Sequence, residues 1–193
     1  RPFLQDLLTI DVGSLQERQW RRVLILDKDL GVFDDVTVWR CANDERGRDC
    51  YLVFLNPDRA AHALSWMRAV SDGYVVFDDE DVWRKVRGPA KVELAGERPD
   101  EDDILALAVR GPEAHSALES LLNDGWPGEL AFHSLTEVRY EGRALHLGRD
   151  GYAPDDGWYT LFGPAPIVRR AWRALIDAGL PSAGEIGRAS CRE

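Results

Sequence analysis

The chain has 193 residues, 45% of them hydrophobic, which suffices for a real core in one large domain or two small ones. Its 34 acidic against 24 basic residues give a net charge of −10, with no basic face to hold nucleic acid. No apolar run has the length to cross a bilayer and no signal peptide opens the chain, so a cytoplasmic protein with neither membrane nor nucleic-acid partners is expected.

The opening "RPFLQDLL" starts in mid-pattern and reads as a chain that lacks its original N-terminus. Phe3, Leu4, Leu7 and Leu8 fall on one face of a short helix. "RRVLILD" is rich in branched residues and predicts a strand, "DKDLG" a turn, and "DVTVWRC" a returning strand with Val36 and Val38 on one side, Thr37 and Trp39 on the other. A charged turn, "NDERGRD", leads to "CYLVFLN", whose continuous apolar run predicts a buried strand. The period then changes. Asn56 is placed as the N-cap and Pro57 as the first residue of a helix whose stripe is Ala60, Ala63, Leu64 and Met67 and which ends near Gly73.

"YVVFDD" predicts another strand, "VWRKVRGPAKVEL" a hairpin, and Glu97 to Asp103 an acidic surface loop. The plan then repeats: "ILALAVR" as a buried strand, "GPEAHSALESLL" as a helix with Pro112 at its start, "ELAFH" as a strand, and "SLTEVRYEGRALHLG" as a hairpin turning at Glu141-Gly142. "GYAPDDG" is a loop and "WYTLF" a short strand. In "PAPIVRRAWRALIDAGL" the apolar stripe is Val168, Ala171, Trp172 and Leu175, with Gly179 closing the helix. Strand–helix–strand thus occurs twice with added hairpins. This predicts an α+β fold of two related halves rather than a doubly wound sheet, residues 1–95 forming the first and 96–184 the second.

Cys41, Cys50 and Cys191 fit no zinc spacing, and their odd number argues against a disulfide framework. Cys41 and Cys50 can face each other across a hairpin, and are read as reduced thiols. His62, His115, His133 and His146 form no ligand motif, so no metal site is expected. The tail "EIGRASCRE", residues 185–193, back-translates to GAG ATC GGA AGA GCG TCG TGT AGG GAA, a string similar to a sequencing adapter, and is set aside from the fold as non-native.

Several stretches, in order, resemble the glycine cleavage T-protein (aminomethyltransferase) family. "LGVFDDVTVWR" is similar to the family's G-G-x-x-D-D-L-x-V segment and "YLVFLNPDRAAHALSWM" to its V-V-N-A-A-N strand and helix. "LALAVRGPEAHSAL" is similar to its L-L-A-L-Q-G-P turn, "GRDGYAPDDGW" to its R-T-G-Y-T-G-E-D-G turn, and "LIDAGLPSAG" to the approach to its P-A-G-L-G-A-R-D. The resemblance implies a tetrahydrofolate-binding fold of two related α+β halves and a C-terminal β-barrel, the barrel being missing here. It implies one-carbon transfer to folate, with the carbon arriving from a donor that can be an aminomethyl group on a lipoyl carrier protein. The alternatives it carries are a non-transferase relative assisting iron–sulfur cluster maintenance, a folate-dependent demethylase or dehydrogenase-associated domain, and an interaction domain that has lost folate.

From the residues alone, Asp34-Asp35 reads as an Asp-rich turn with solvated carboxylates. The resemblance makes Asp35 the catalytic candidate, a fixed carboxylate orienting folate and stabilising positive charge among nitrogens, and leaves Asp34 as a turn residue. It implies that Tyr152 lines the folate pocket, where its ring can stack on a pterin. Asn56 matches the first asparagine of V-V-N-A-A-N, with helix capping as its larger task. Arg188 matches the arginine of G-A-R-D but lies in the tail. Two departures stand out: Tyr159 occupies the place of a family glutamate, with Asp155 and Asp156 a few residues early, and Arg22 the place of a family tyrosine.

Overall fold

The computed structural model describes residues 2–76, 78–86, 88–95, 99, 103–151 and 157–183. It is a mixed α/β structure with two separate antiparallel sheets, and the chain divides into two compact units, residues 1–94 with 133–135, and 95–132 with 136–193.

The first unit opens with helix α1 (Pro2–Leu7), whose Phe3, Leu4 and Leu7 are buried, as is Leu8 just beyond it. Strands β1 (Trp20–Leu26), β2 (Val32–Arg40) and β3 (Tyr51–Phe54) form one sheet in that order, and helix α2 (Pro57–Ser71) follows. Alternation in β2 sends Val36 and Val38 into a core shared with Val23, Ile25, Met67 and Val70. A bulge between Ile25 and Leu26 skips Phe33, so Ile25 pairs with Asp34 while Leu26 pairs with Val32. Helix α2 buries Ala63, Leu64 and Met67 of its expected stripe, leaves Ala60 half-buried, and ends before Gly73, whose φ of +75° suits a residue without a side chain.

The second unit carries β4 (Ile104–Arg110), helix α3 (Ala114–Leu122), β5 (Leu135–Tyr140), β6 (Arg143–Asp150), β7 (Trp158–Pro164) and helix α4 (Ala165–Asp177). The sheet order is β4-β7-β6-β5, and β5 and β6 are joined by the expected Glu141-Gly142 turn, both residues at positive φ. One face of the sheet, with Val109, Leu145, Leu147 and Leu161, packs on Leu118, Val168, Ala171 and Leu175 of the two helices. At that density, truncating Leu175 to alanine would cost about 2–5 kcal/mol. The Leu180 N–H reaches back to the Leu175 carbonyl at 3.1 Å and Gly179 to Ile176 at 2.9 Å, with Gly179 at φ +95°, so the glycine closes α4 as expected.

Several expectations are corrected. β3 and β4 are edge strands of their sheets, not central ones. All four β3 residues are half-buried, and Leu105, Ala106, Ala108 and Arg110 of β4 are exposed. A continuous apolar run signals a strand covered on both faces, and among the described residues neither β3 nor β4 is so covered. Neither "YVVFDD" nor "VWRKVRGPAKVEL" contains a strand among its described residues; Tyr74, Val82 and Trp83 are exposed there, so these apolar residues belong to surface loops. "ELAFH" is likewise irregular, with His133 at φ +62°. Helix α3 starts at Ala114, two residues after Pro112. In α4 the buried residues are Ala165, Ile167, Val168, Ala171 and Leu175, while Trp172, expected among them, is 44% exposed. The acidic loop at Glu97 to Asp103 falls mostly, and Tyr152, Asp155, Asp156, Arg188 and the 185–193 tail fall wholly, outside the described residues.

Candidate functional site

Asp34 and Asp35 are consecutive in β2, so their side chains leave opposite faces of the sheet. Asp34 shares the face of Val36 and Val38. It is 2% exposed, in a strand and not in a turn, which corrects the expectation of a solvated turn residue. A carboxylate buried this deeply must be given donors. Three meet it: the Asn56 Nδ2 and the Asp35 N–H donate to Oδ1, and the Asn56 N–H donates to Oδ2 at 3.0 Å. Asn56 Nδ2 is also within 3.1 Å of the Asp35 carbonyl.

Asn56 stands at the N-cap of α2, but its side chain makes no capping bond to the helix. Its amide is spent on β2 instead, which corrects the expectation that capping is its larger task. Pro57, at the first helical position, lacks an N–H to be capped. The asparagine is a brace from strand to helix, and it places the Asp34 carboxylate at the positive end of α2. Arg59, one turn into the helix, adds a second tie by donating from Nη1 to the Phe33 carbonyl at 3.1 Å.

Asp35 lies on the other face, its side chain 45% exposed. Arg22 of β1 pairs with Thr37, diagonal to Asp35, and its Nε donates to Oδ1 at 2.9 Å and Oδ2 at 3.0 Å. An exposed pair of this kind contributes about 0–1 kcal/mol and can be opened by a competing donor. The arginine that departs from the family's tyrosine is thus the counter-ion of the catalytic candidate.

Tyr159, where the resemblance expects a glutamate, is buried in β7. Its hydroxyl is 3.1 Å from Nδ1 of His115, and its ring lies 6.3 Å from that of Trp126. The position therefore supplies neutral packing to the core of the second unit and no carboxylate. On strand β7 the neighbouring Trp158 carries the Arg110 guanidinium 4.1 Å from its ring centroid, and Thr160 donates to Asp150 at 3.1 Å. Among the described residues no three metal-ligating side chains cluster, and no helix is long and apolar enough to cross a membrane.

The brace between Asp34 and Asn56 has a signal in the sequence that the reading of the aspartate pair as a turn does not use. Val36 and Val38 set the phase of β2, and counting back two residues from Val36 puts Asp34 on the inward face. A buried aspartate needs donors, and an asparagine at a strand–helix junction can supply them.

Several known proteins are similar to this chain. The aminomethyltransferase of Herpetosiphon aurantiacus is 28% identical over 191 residues, covering 98% of this chain and 45% of that protein. That of Bacillus subtilis is 27% identical over 177 residues, covering 92% of this chain and 42% of the other. The chain thus spans less than half the length of these curated relatives. The crystal structure of glycine cleavage system aminomethyltransferase T from Bartonella henselae superposes with a TM-score of 0.64 over 98% of this chain and 44% of that one, at 21% identity, a likeness of fold. The model of the GCVT N-terminal domain matches residues 1–191, and the chain belongs to that family, the aminomethyltransferase family of the glycine cleavage T-protein.

Proposed function

We propose that this chain is part of a tetrahydrofolate-dependent aminomethyltransferase-like protein that moves a one-carbon unit onto folate, as in the glycine cleavage system. The observation that carries the reading is the division of labour in the aspartate pair. Asp34 is consumed by Asn56 and the strand, while Asp35 stands half-exposed and, among the described residues, pairs with a displaceable arginine. A folate ring supplies the nitrogen that accepts the carbon. Asp35 fits such a nitrogen-rich ligand because an ionised carboxylate accepts N–H donors and stabilises nearby positive charge. In this reading Asp35 is the catalytic residue, and Arg22 holds its carboxylate oriented until a ligand donor takes over. Asn56 contributes to binding by holding β2 against the start of α2. Tyr152 completes the binding set through its ring. The donor of the carbon is a partner such as a lipoyl carrier protein, and the protein works in the cytoplasm. The two units are related α+β halves of the folate-binding fold, whose β-barrel belongs to the rest of the full-length protein.

A second reading is favoured by one observation. Tyr159 provides no charge where the resemblance expects a glutamate. A relative that binds folate without transferring aminomethyl groups fits this, including the kind that assists iron–sulfur cluster maintenance or the demethylase and dehydrogenase-associated kind. Calorimetry with tetrahydrofolate on the full-length protein tests both. Binding in the micromolar range, about −8 kcal/mol, supports a folate protein, and turnover with an aminomethyl donor then separates transferase from non-transferase. No heat and no thermal shift at millimolar ligand would leave an interaction domain.

A further inference from the structure

Cys41 and Cys50 follow directly on Arg40 and Tyr51, the last residues paired between β2 and β3. The register continues through them, for the Cys41 N–H donates to the Cys50 carbonyl at 3.0 Å. Opposed residues at such hydrogen-bonded positions have Cα atoms about 5.5 Å apart and side chains on one face. A disulfide spans Cα separations of about 4.4–6.8 Å, a range that includes this spacing. Both cysteines are free, Cys50 exposed and Cys41 half-buried, and Cys50 lies near enough to perturb the Cys41 thiol.

The loop between them holds this arrangement. The Asp44 N–H donates to the Arg48 carbonyl at 3.0 Å and the Gly47 N–H to the Asp44 carbonyl at 2.8 Å. The Asp44 carboxylate accepts the backbone N–H groups of Arg46 at 2.9 Å and Arg48 at 2.8 Å, and the Arg48 Nε at 2.7 Å. Five bonds across one turn bring the strand ends together before any covalent link exists, which lowers the entropic cost of closing the ring.

We propose that Cys41 and Cys50 are a reversible dithiol–disulfide couple, a modification site on the β2–β3 hairpin whose reaction partner is a small-molecule disulfide. The exposed Cys50 loses its proton to solvent and its sulfur attacks one sulfur of the small disulfide, expelling a thiolate and leaving a mixed disulfide on Cys50. Cys41 then gives up its proton, attacks the Cys50 sulfur and expels the second small thiolate. Two protein thiols are oxidised, one small disulfide is reduced to two thiols, and the protons end on the released thiolates. The order follows from access: Cys50 meets solvent, whereas burial and the adjacent Cys50 keep the Cys41 thiol protonated, pushed up to about 12. Closure joins β2 to β3 on the face that alternation gives to Trp39, Thr37 and Asp35.

Glutathione disulfide is the probe, with the intact chain digested by trypsin without reductant. Cleavage after Arg40, Arg46, Arg48 and Arg59 separates peptide 41–46 from peptide 49–59. The expected result is these two peptides joined with loss of two hydrogens and released by dithiothreitol. The Cys41→Ser variant should accumulate glutathione on Cys50, and the Cys50→Ser variant should leave Cys41 unmodified. Wild-type protein that stops at glutathionylated Cys50, stays a dithiol, or links either cysteine to Cys191 overturns the proposal. Because the wild-type digest is decisive, misfolding of either variant does not spare it.

Discussion

Asp34 and Asn56 are 22 residues apart in sequence and share two hydrogen bonds, one from the asparagine backbone and one from its amide, both to a carboxylate 2% exposed. This contact joins the middle strand of the first sheet to the start of its helix. Removing the exposed Asn56 amide leaves the buried Asp34 carboxylate short of a donor, and that penalty exceeds the net worth of the bond itself. Asp34→Ala and Asn56→Ala are each expected to lower unfolding stability by about 1–3 kcal/mol. The double variant should cost clearly less than the sum, because without Asp34 the loss of the Asn56 amide no longer strands a buried carboxylate. Urea unfolding of the four proteins measures this; additive losses would show that the two act independently.

Asp35 is expected to behave differently from its neighbour. Asp35→Asn keeps the shape, removes the charge and gives up a half-exposed ion pair, so stability should change by about 1 kcal/mol or less. In the full-length protein with folate and donor, turnover should fall by roughly two to four orders of magnitude, the range for charge stabilisation and proton handling. The contrast with Asp34→Ala, which acts on folding, is the discriminating result. Asp35→Asn with wild-type turnover would return the carboxylate to a surface role.

What the sequence disclosed and what it hid follows from how each element is held. The 135–150 hairpin and the four helices were legible because local signals specify them: a Glu-Gly turn, prolines at or near helix starts, and apolar stripes at helical spacing. The edge positions of β3 and β4 were not, since a run such as "ILALAVR" says nothing of how many neighbours it will find. "YVVFDD" failed because apolar content without a pairing partner does not make a strand. At the site, the resemblance pointed to the aspartate pair, but which carboxylate is buried depended on the phase of β2, fixed by Val36 and Val38, and on Asn56 arriving from 22 residues away. The partner of Arg22 likewise emerged only with the β1–β2 register.

Tyr159 gives a test of whether the missing glutamate can be restored by substitution alone. Tyr159→Phe removes one hydroxyl and its contact with His115, and should cost about 0.5–1.5 kcal/mol. Tyr159→Glu places a carboxyl in the apolar core beside Trp126 and His115, opposite Arg149 of β6, whose Nη1 already donates to the Leu130 carbonyl. Such a group either pays several kcal/mol to remain charged or takes up a proton. Thermal melts should therefore rank wild type above Tyr159→Phe, and Tyr159→Phe well above Tyr159→Glu, with the last losing stability further as pH rises. A Tyr159→Glu variant as stable as wild type at pH 8 would mean that the side chain escapes the core and that the position can present charge to a ligand.

The Cys41 thiol sets a pH dependence whose sign can be worked out. Its value in the folded protein is pushed up from 9.0 to about 12, first by burial and then by the neighbouring Cys50. Between these values the unfolded chain gives up the proton while the folded one retains it, so the folded state binds more protons and its stability falls as pH rises. Below pH 9 both states are protonated and the residue contributes no slope. Wild-type protein kept reduced should therefore lose stability from about pH 9 upward, and Cys41→Ala, which has no thiol to titrate, should lose less over the same interval. Tyr140, also raised by burial and by Glu141, adds a downward slope common to both proteins, so the difference between the two curves isolates the cysteine. Denaturant titrations at pH 8, 9 and 10 provide the measurement, and parallel curves for the two proteins would show that Cys41 ionises as freely in the folded chain as in the unfolded one.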